Sequence, residues 1–298
     1  VSILACYHKD DLDGACSAAI INKKTNCNIL GVTYSEEFDL KKLNDISTLY
    51  FLDFCPKINI LFNIIKKFRG KIIIIDHHLS AYQNYLQHSQ EIVELCGSKV
   101  SLEYVFDNDF SGCELTYKYF YSDTIPYGVK LLGRYDIWDH YSDNVLNFQY
   151  GIRSIFELDE ENILNFQKEE WGYIIDEDLS YIKYIIDIGC DIQRYHINTS
   201  KNYAKSYSFR YYKWLGEYNC IILNRGSISS LDFESVYDSD KDDIMVSFVK
   251  GKNGWNFSLR SIKDEVDCAK IAKEFGGGGH KKAAGFSVQS LQDAQLFF

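Results

Sequence analysis

Residues 70–80 read GKIIIIDHHLS, and this stretch decides the fold. Ile72 to Ile75 form an unbroken β-branched run without polar alternation, the pattern of a strand buried on both faces at the centre of a parallel sheet. The run stops on Asp76, His77 and His78. Ligands of open α/β sheets bind just beyond the carboxyl ends of the strands. One carboxylate and two imidazoles at such a point are ligand types that a divalent transition metal accepts. A polar loop carrying a helix N-cap would look the same, so the metal assignment depends on the other strands.

Upstream, SILACY (2–7) predicts a first strand and ACSAAIINKK (15–24) a helix packed closely on a sheet. The turn between them, HKDDLDG, holds His8, Asp10, Asp11 and Asp13, with Gly14 opening the helix. Capping that helix takes one carboxylate. Three acids so close repel one another unless something cationic sits among them. NCNILGVTY (26–34) predicts a second strand, and STLYFLDFCP (47–56) a third that delivers Asp53 at its end. Pro56 is expected to start the helix INILFNIIKKF (58–68). Strand and helix alternate through roughly the first 80 residues, which calls for a doubly wound parallel sheet. Three of its strands would then bring acid or histidine to one sheet edge.

Downstream, SGCELTYKYFY (111–121) predicts a helix opened by a capping box of Ser111 and Glu114. PYGVKLLGRYDIWDH (126–140) is expected to continue as helix, with Asp136 and Asp139 three apart on one face. Either is a solvated surface acid or a further ligand. Residues 158–203 are charged and amphipathic and predict bridging helices. YNCIIL (218–223), DIMVSFVK (243–250) and NGWNFSLRS (253–261) predict strands, and DCAKIAKEF (267–275) a helix ending in the turn FGGGGHKKAAGFSV. Glycines 276–279 let backbone N–H groups approach an anion. His280, Lys281 and Lys282 follow, and Arg260 could reach the same anion with its fork of donors.

Composition narrows the function classes. The chain has 298 residues, enough for two cores, and 46% of them are hydrophobic, so disorder is not expected. A net charge of −10 argues against a surface that tracks long duplex nucleic acid. No apolar run approaches the roughly 20 residues of a membrane span. The N-terminus lacks signal-peptide flanks, and nine scattered cysteines without a CxxC read as reduced thiols, so a cytoplasmic location is expected.

Taken in order, HKDDLDG, LDF, IDHH, the Asp of GRYDIWD, LRS and FGGGGHKKAAGF resemble the DHH-type phosphoesterases with a C-terminal DHHA1 domain. The resemblance covers nearly the whole chain and is strongest to the NrnB-like and NrnA-like oligoribonucleases and small-nucleotide phosphodiesterases. It implies a doubly wound DHH domain (1–157), a helical linker (158–203) and a smaller α/β DHHA1 domain (204–298), with the active site in the cleft between the two domains. It also implies two divalent ions, usually Mn2+, with Mg2+ or Co2+ as alternatives. His8, Asp11 and Asp53 would hold one ion. Asp13, His77 and Asp136 would hold the other, with Asp53 bridging. Asp76 would orient a ligand, and His78 would face the substrate. Arg260, Gly277, Gly278, Gly279 and His280 would bind the substrate's other end. The first turn departs from the family's H-x-x-x-D-x-D by being one residue tighter, and Asp139 rivals Asp136.

The expected activity is metal-dependent hydrolysis of short RNA or small nucleotide phosphodiesters, with no membrane or long duplex as partner and a homodimer as a compatible assembly. Two cations about 3.5–4 Å apart can activate a shared water and clamp a phosphoryl group. The alternatives are hydrolysis of cyclic mono- or dinucleotides, hydrolysis of 3′-phosphoadenosine 5′-phosphate, and a non-catalytic scaffold of replication complexes.

Overall fold

The computed structural model describes residues 2–25, 27–34, 36–122, 124–156, 168–226 and 228–295. By its internal contacts the chain divides into two units, Val1–Gln193 and Arg194–Phe298.

The first unit is built on a five-stranded, fully parallel sheet of order β2-β1-β3-β4-β5. Its strands are β1 (Ile3–His8), β2 (Asn28–Val32), β3 (Thr48–Leu52), β4 (Gly70–Asp76) and β5 (Val100–Phe106). The isoleucine run lies in β4, one strand in from the edge, and all four side chains are buried. Ile73 and Ile75 join one apolar cluster, with helices α1 (Leu12–Lys24), α5 (Gly112–Phe120) and α6 (Tyr127–Asp136). Ile72 and Ile74 join a second cluster, with α2 (Ile58–Lys67) and α4 (Ser89–Cys96). The absence of polar alternation is therefore the mark of a strand covered on both sides. Helices α3 (Leu79–Gln87), α7 (Asp143–Ile155), α8 (Lys168–Ile175) and the long α9 (Leu179–Tyr207) complete the described helices before the second sheet. Residues 158–167 of the expected linker lie outside the described residues.

Three local expectations are corrected. Helix α2 begins at Ile58 with Lys57 as its N-cap, so Pro56 lies outside the helix and does not open it. Helix α6 stops at Asp136, and Trp138 adopts a left-handed backbone with φ +63°. Asp139 therefore leaves the helical path and shares no helix face with Asp136. The glycine run is only half turn. Gly276 has φ +77°, but Gly278–His280 form the edge strand β10.

The second unit carries a six-stranded mixed sheet of order β10-β11-β9-β8-β7-β6. Its strands are β6 (Phe209–Trp214), β7 (Tyr218–Leu223), β8 (Ile244–Gly251), β9 (Gly254–Arg260), β10 and β11 (Ala283–Val288). Helix α10 (Cys268–Glu274) covers one face through Ile271 and Ala272. Among the described residues, no helix is long and apolar enough to cross a membrane.

Candidate metal centre

Strand order 2-1-3-4-5 reverses between β1 and β3, which makes the carboxyl ends of these strands the topological switch point where α/β sheets bind ligands. His8 ends β1, Asp53 follows β3, and Asp76–His78 close β4. Asp11 and Asp13 lie at the start of α1, and Gly14 lets that helix come close. A Cβ at Gly14 would lie 2.0 Å from the His8 carbonyl oxygen.

Three overlapping triads form there among the described residues. His8, Asp11 and Asp53 offer ligand atoms within 4.8 Å of one another, as do Asp13, His77 and Asp136, and as do Asp53, His77 and His78. His8 Nδ1 lies 2.9 Å from Asp11 Oδ2 and 3.8 Å from Asp53 Oδ2. His77 Nε2 lies 3.3 Å from Asp53 Oδ1, 3.2 Å from Asp136 Oδ2 and 3.9 Å from Asp13 Oδ2. Asp53 thus turns one oxygen toward His8 and the other toward His77. The tight first turn still brings His8 into reach, because Asp11 performs two tasks. Its Oδ1 caps α1 by accepting the Gly14 N–H at 2.9 Å, while its Oδ2 meets the imidazole. Asp10 accepts the Thr33 hydroxyl at 2.6 Å, with the same oxygen 3.6 Å from His8 Nε2. Asp139 pairs with Arg134 at 3.4 Å, whereas Asp136 faces His77.

The polar groups here test whether a metal fits. Asp53 is 1% exposed, and both its carboxylate oxygens lack a hydrogen-bond partner, as does the buried His77 Nε2. Buried carboxylates are ordinarily paired or bonded to a metal. Asp53 also holds a left-handed backbone at φ +52°, a conformation that costs about 1–3 kcal/mol. Asp53, the two imidazoles and the flanking carboxylates are an N/O donor set for a divalent transition metal. The residues present fit the group.

Electrostatics agree. Burial, the largest single influence on His77, opposes its charge. Asp136 and Asp53 outweigh it, and its pKa is pushed up to about 12. At His8 burial again opposes the charge, and Asp11 and Asp53 raise the pKa to about 10. Burial, reinforced by Asp53 and Asp136, pushes Asp13 well above the usual carboxylate range. Without a metal, protons supply the positive charge this nest of acids demands.

Helix α5 was expected, but its supporting contact with the site is a part that the sequence did not reveal. Its first two N–H groups, from Gly112 and Cys113, donate to Asp13 Oδ2 and Oδ1 at 2.7 and 2.8 Å. The helix N-terminus thereby holds Asp13 in place. A Cβ at Gly112 would lie 2.5 Å from Asp53 Cβ, so only glycine fits beneath that carboxylate. The capping box of Ser111 and Glu114 is present and was the available signal for this N-terminus. Asp76, fully buried, accepts from the His77 and His78 backbone N–H groups and meets His78 Nδ1 at 2.7 Å. Its imidazole partner is therefore His78. The Tyr104 hydroxyl donates to its other oxygen at 3.2 Å.

In the second unit, Arg260 ends β9 opposite Ala283, and its guanidinium donates to the Leu259 carbonyl at 2.9 Å. His280 closes β10 and is exposed. The Gly276 and Gly277 N–H groups are occupied, donating to Lys273 and Ala272 at the end of α10. They satisfy helix carbonyls, and Gly278 and Gly279 pair with Gly285 and Ala284 of β11.

The fold and the donor set at its switch point are those of a doubly wound α/β unit with a candidate metal centre, and the C-terminal part of the chain matches a known domain family. Residues 228–298 match the DHHA1 domain. Over its whole length the chain is 24% identical to uncharacterized protein R106 of Acanthamoeba polyphaga mimivirus, and spans 61% of that relative. Its fold is similar to that of an exopolyphosphatase-related protein from Bacteroides fragilis (TM-score 0.54, 16% identity, covering 98% of this chain and 88% of the other). It is also similar to RecJ from Thermus thermophilus in complex with Mn2+ (TM-score 0.50, 12% identity, covering 97% of this chain and 49% of that one).

Proposed function

We propose that the chain is a divalent-metal-dependent phosphodiesterase acting on short RNA oligonucleotides or small nucleotide phosphodiesters. The observation that carries this reading is Asp53, a buried carboxylate with both oxygens unpartnered, set between His8 and His77. His8, Asp11 and Asp53 would hold one ion, and Asp13, His77 and Asp136 the other, with Asp53 shared and Mn2+ the ion best suited to the mixed donors. Such a pair supplies an activated water and neutralises charge on the phosphoryl group.

The chain's own residues do the rest. The N-terminus of α5 fixes Asp13, and Asp11 ties His8 to the start of α1. Asp76 accepts a hydrogen bond from His78 Nδ1, which leaves Nε2 to hold a proton. Burial disfavours the charged ring, but Asp76 outweighs it and raises the His78 pKa, so the imidazole keeps that proton for the departing oxygen. Arg260, His280 and the N–H groups of Gly278 and Gly279 would grip a second phosphate of the substrate.

The test is a Mn2+-dependent hydrolysis panel with EDTA controls: 5′-labelled RNA from dinucleotide to 24-mer, pApA, 3′-phosphoadenosine 5′-phosphate and cyclic AMP. Preferential cleavage of the shortest RNAs is expected. Cleavage of cyclic AMP alone would reassign the substrate. No turnover with metal still bound would leave a scaffold.

A further inference from the structure

Beyond the carboxyl end of β2 the first unit carries a second feature, a half-open cavity of ≈ 130 Å³. Its walls are Leu30, Val32, Tyr34, Phe38, Phe54 and Ile60. The Tyr34 and Phe54 rings stack with centroids 4.4 Å apart, and the same two rings lie 5.6 and 6.2 Å from the His8 imidazole. The cavity therefore shares a wall with the metal centre. Its link to the centre is also polar, since Thr33 on the cavity wall holds Asp10, and Asp10 Oδ2 lies 3.6 Å from His8 Nε2.

We propose that this cavity is the nucleobase subsite of the enzyme, a claim that rests on the phosphodiesterase reading above. Three observations select a base over other occupants. The volume is that of one aromatic ring, since an apolar cavity of about 150 Å³ takes up benzene. The walls are aromatic and aliphatic, and base–aromatic contact is the sequence-tolerant way in which single-stranded nucleic acid is held. The rim supplies hydrogen-bond acceptors. Lys9 is paired with Glu36 at 3.0 Å, Lys57 with the Tyr34 carbonyl at 3.0 Å, and Asp39 accepts the Lys41 N–H at 2.9 Å, while Glu37 and Lys42 also line the cavity. Every nucleobase carries N–H donors on its edge, which the carboxylates lining the cavity can accept. The arrangement thus orients a nucleotide with its base in the cavity and its phosphate toward His8.

The test uses the full chain in EDTA, so that it does not depend on turnover. Binding of adenosine and uridine is followed by ligand-observed NMR, with ribose as the baseless control. Both nucleosides should bind and ribose should not, with Overhauser contacts from the base protons to the Tyr34 and Phe54 rings. Ile60→Trp fills the cavity from α2 without touching any of the six donors, and should weaken both nucleosides at least tenfold while leaving Mn2+-induced thermal stabilisation intact. Absence of nucleoside binding, or binding indifferent to Ile60→Trp, overturns the proposal. If that variant fails to fold, missing contacts to Tyr34 and Phe54 in the unmodified chain overturn it equally. Nucleoside binding with these contacts, in a chain that hydrolyses no phosphodiester, would uphold the subsite and refute the phosphodiesterase reading.

Discussion

Two buried aspartates, one in each unit, are treated in opposite ways. Asp242, just ahead of β8 in the second unit, is fully buried and satisfied. Arg210 grips it with two donors at 2.8 and 2.9 Å, and the Asp238 N–H adds a third at 2.9 Å. Asp53, in the first unit, is 1% exposed and has no such partner on either oxygen. Folding alone explains Asp242, because a buried charge is tolerated when its lone pairs are filled. Folding alone leaves Asp53 a cost, added to a left-handed backbone. The difference separates a carboxylate kept for structure from one kept open for a ligand.

The comparison breaks most visibly if both aspartates are made asparagine. For Asp53→Asn, Mn2+-dependent hydrolysis should fall on the order of a thousandfold, the upper range for losing one preorganised electrostatic group. The metal-free variant should be as stable as the parent or more so, because burial already raises the Asp53 pKa and an amide carries no charge to desolvate. Asp242→Asn should behave in the opposite way. Breaking its pair with Arg210 should cost about 3 kcal/mol, the low end for a buried pair because Arg210 keeps contact with water. Activity per folded molecule should be unchanged. Urea unfolding in EDTA and initial rates in Mn2+ measure both. Equal loss of stability in the two variants would erase the distinction.

Metal addition sharpens the same contrast. Mn2+ at about a hundred times its dissociation constant should stabilise the parent by about 2.7 kcal/mol. Asp242→Asn should show the same increment from a lower baseline, and Asp53→Asn should lose most of it. Thermal unfolding with and without the ion reads this directly. An undiminished increment in Asp53→Asn would remove Asp53 from the ligand set.

Much of the first unit was legible because its signals are local. A β-branched run announces a two-sided strand, and the residue after it inherits the switch-point position. His8, Asp53 and His77 could therefore be named before any packing was known. What the sequence hid was long-range or conformational. The Gly112 and Cys113 N–H groups reach Asp13 across about a hundred residues of chain, through the packing of α1 on α5. Asp136 and Asp139 seemed to share a face until the left-handed Trp138 ended the helix. The glycine segment hid its split character because glycine serves a turn and a close strand approach equally well. A Cβ at Gly277 would lie 2.1 Å from the Gly285 carbonyl oxygen.

The smallest effect concerns protons, and it tests what stands in for the metal. His8 is raised from 6.5 to about 10 and His77 from 6.5 to about 12 in the metal-free fold, in each case by acids that outweigh burial. A raised folded pKa contributes stability that is complete below the unfolded value and lost as pH rises through the folded one. Asp13 and Asp53, raised by burial, act with the same sign at lower pH. The EDTA-treated chain should therefore lose stability steadily from about pH 6 to about pH 10. Ligation reverses the trend, because a metal takes the neutral imidazole and the ionised carboxylate and so competes with those protons. Mn2+ affinity should rise over the same interval, with net proton release when the titration is repeated in buffers of different ionisation enthalpy. Parallel stability curves with and without Mn2+ would mean that the buried acids and imidazoles are a closed ion-pair network like that of Asp242, and the contrast between the two aspartates would be lost.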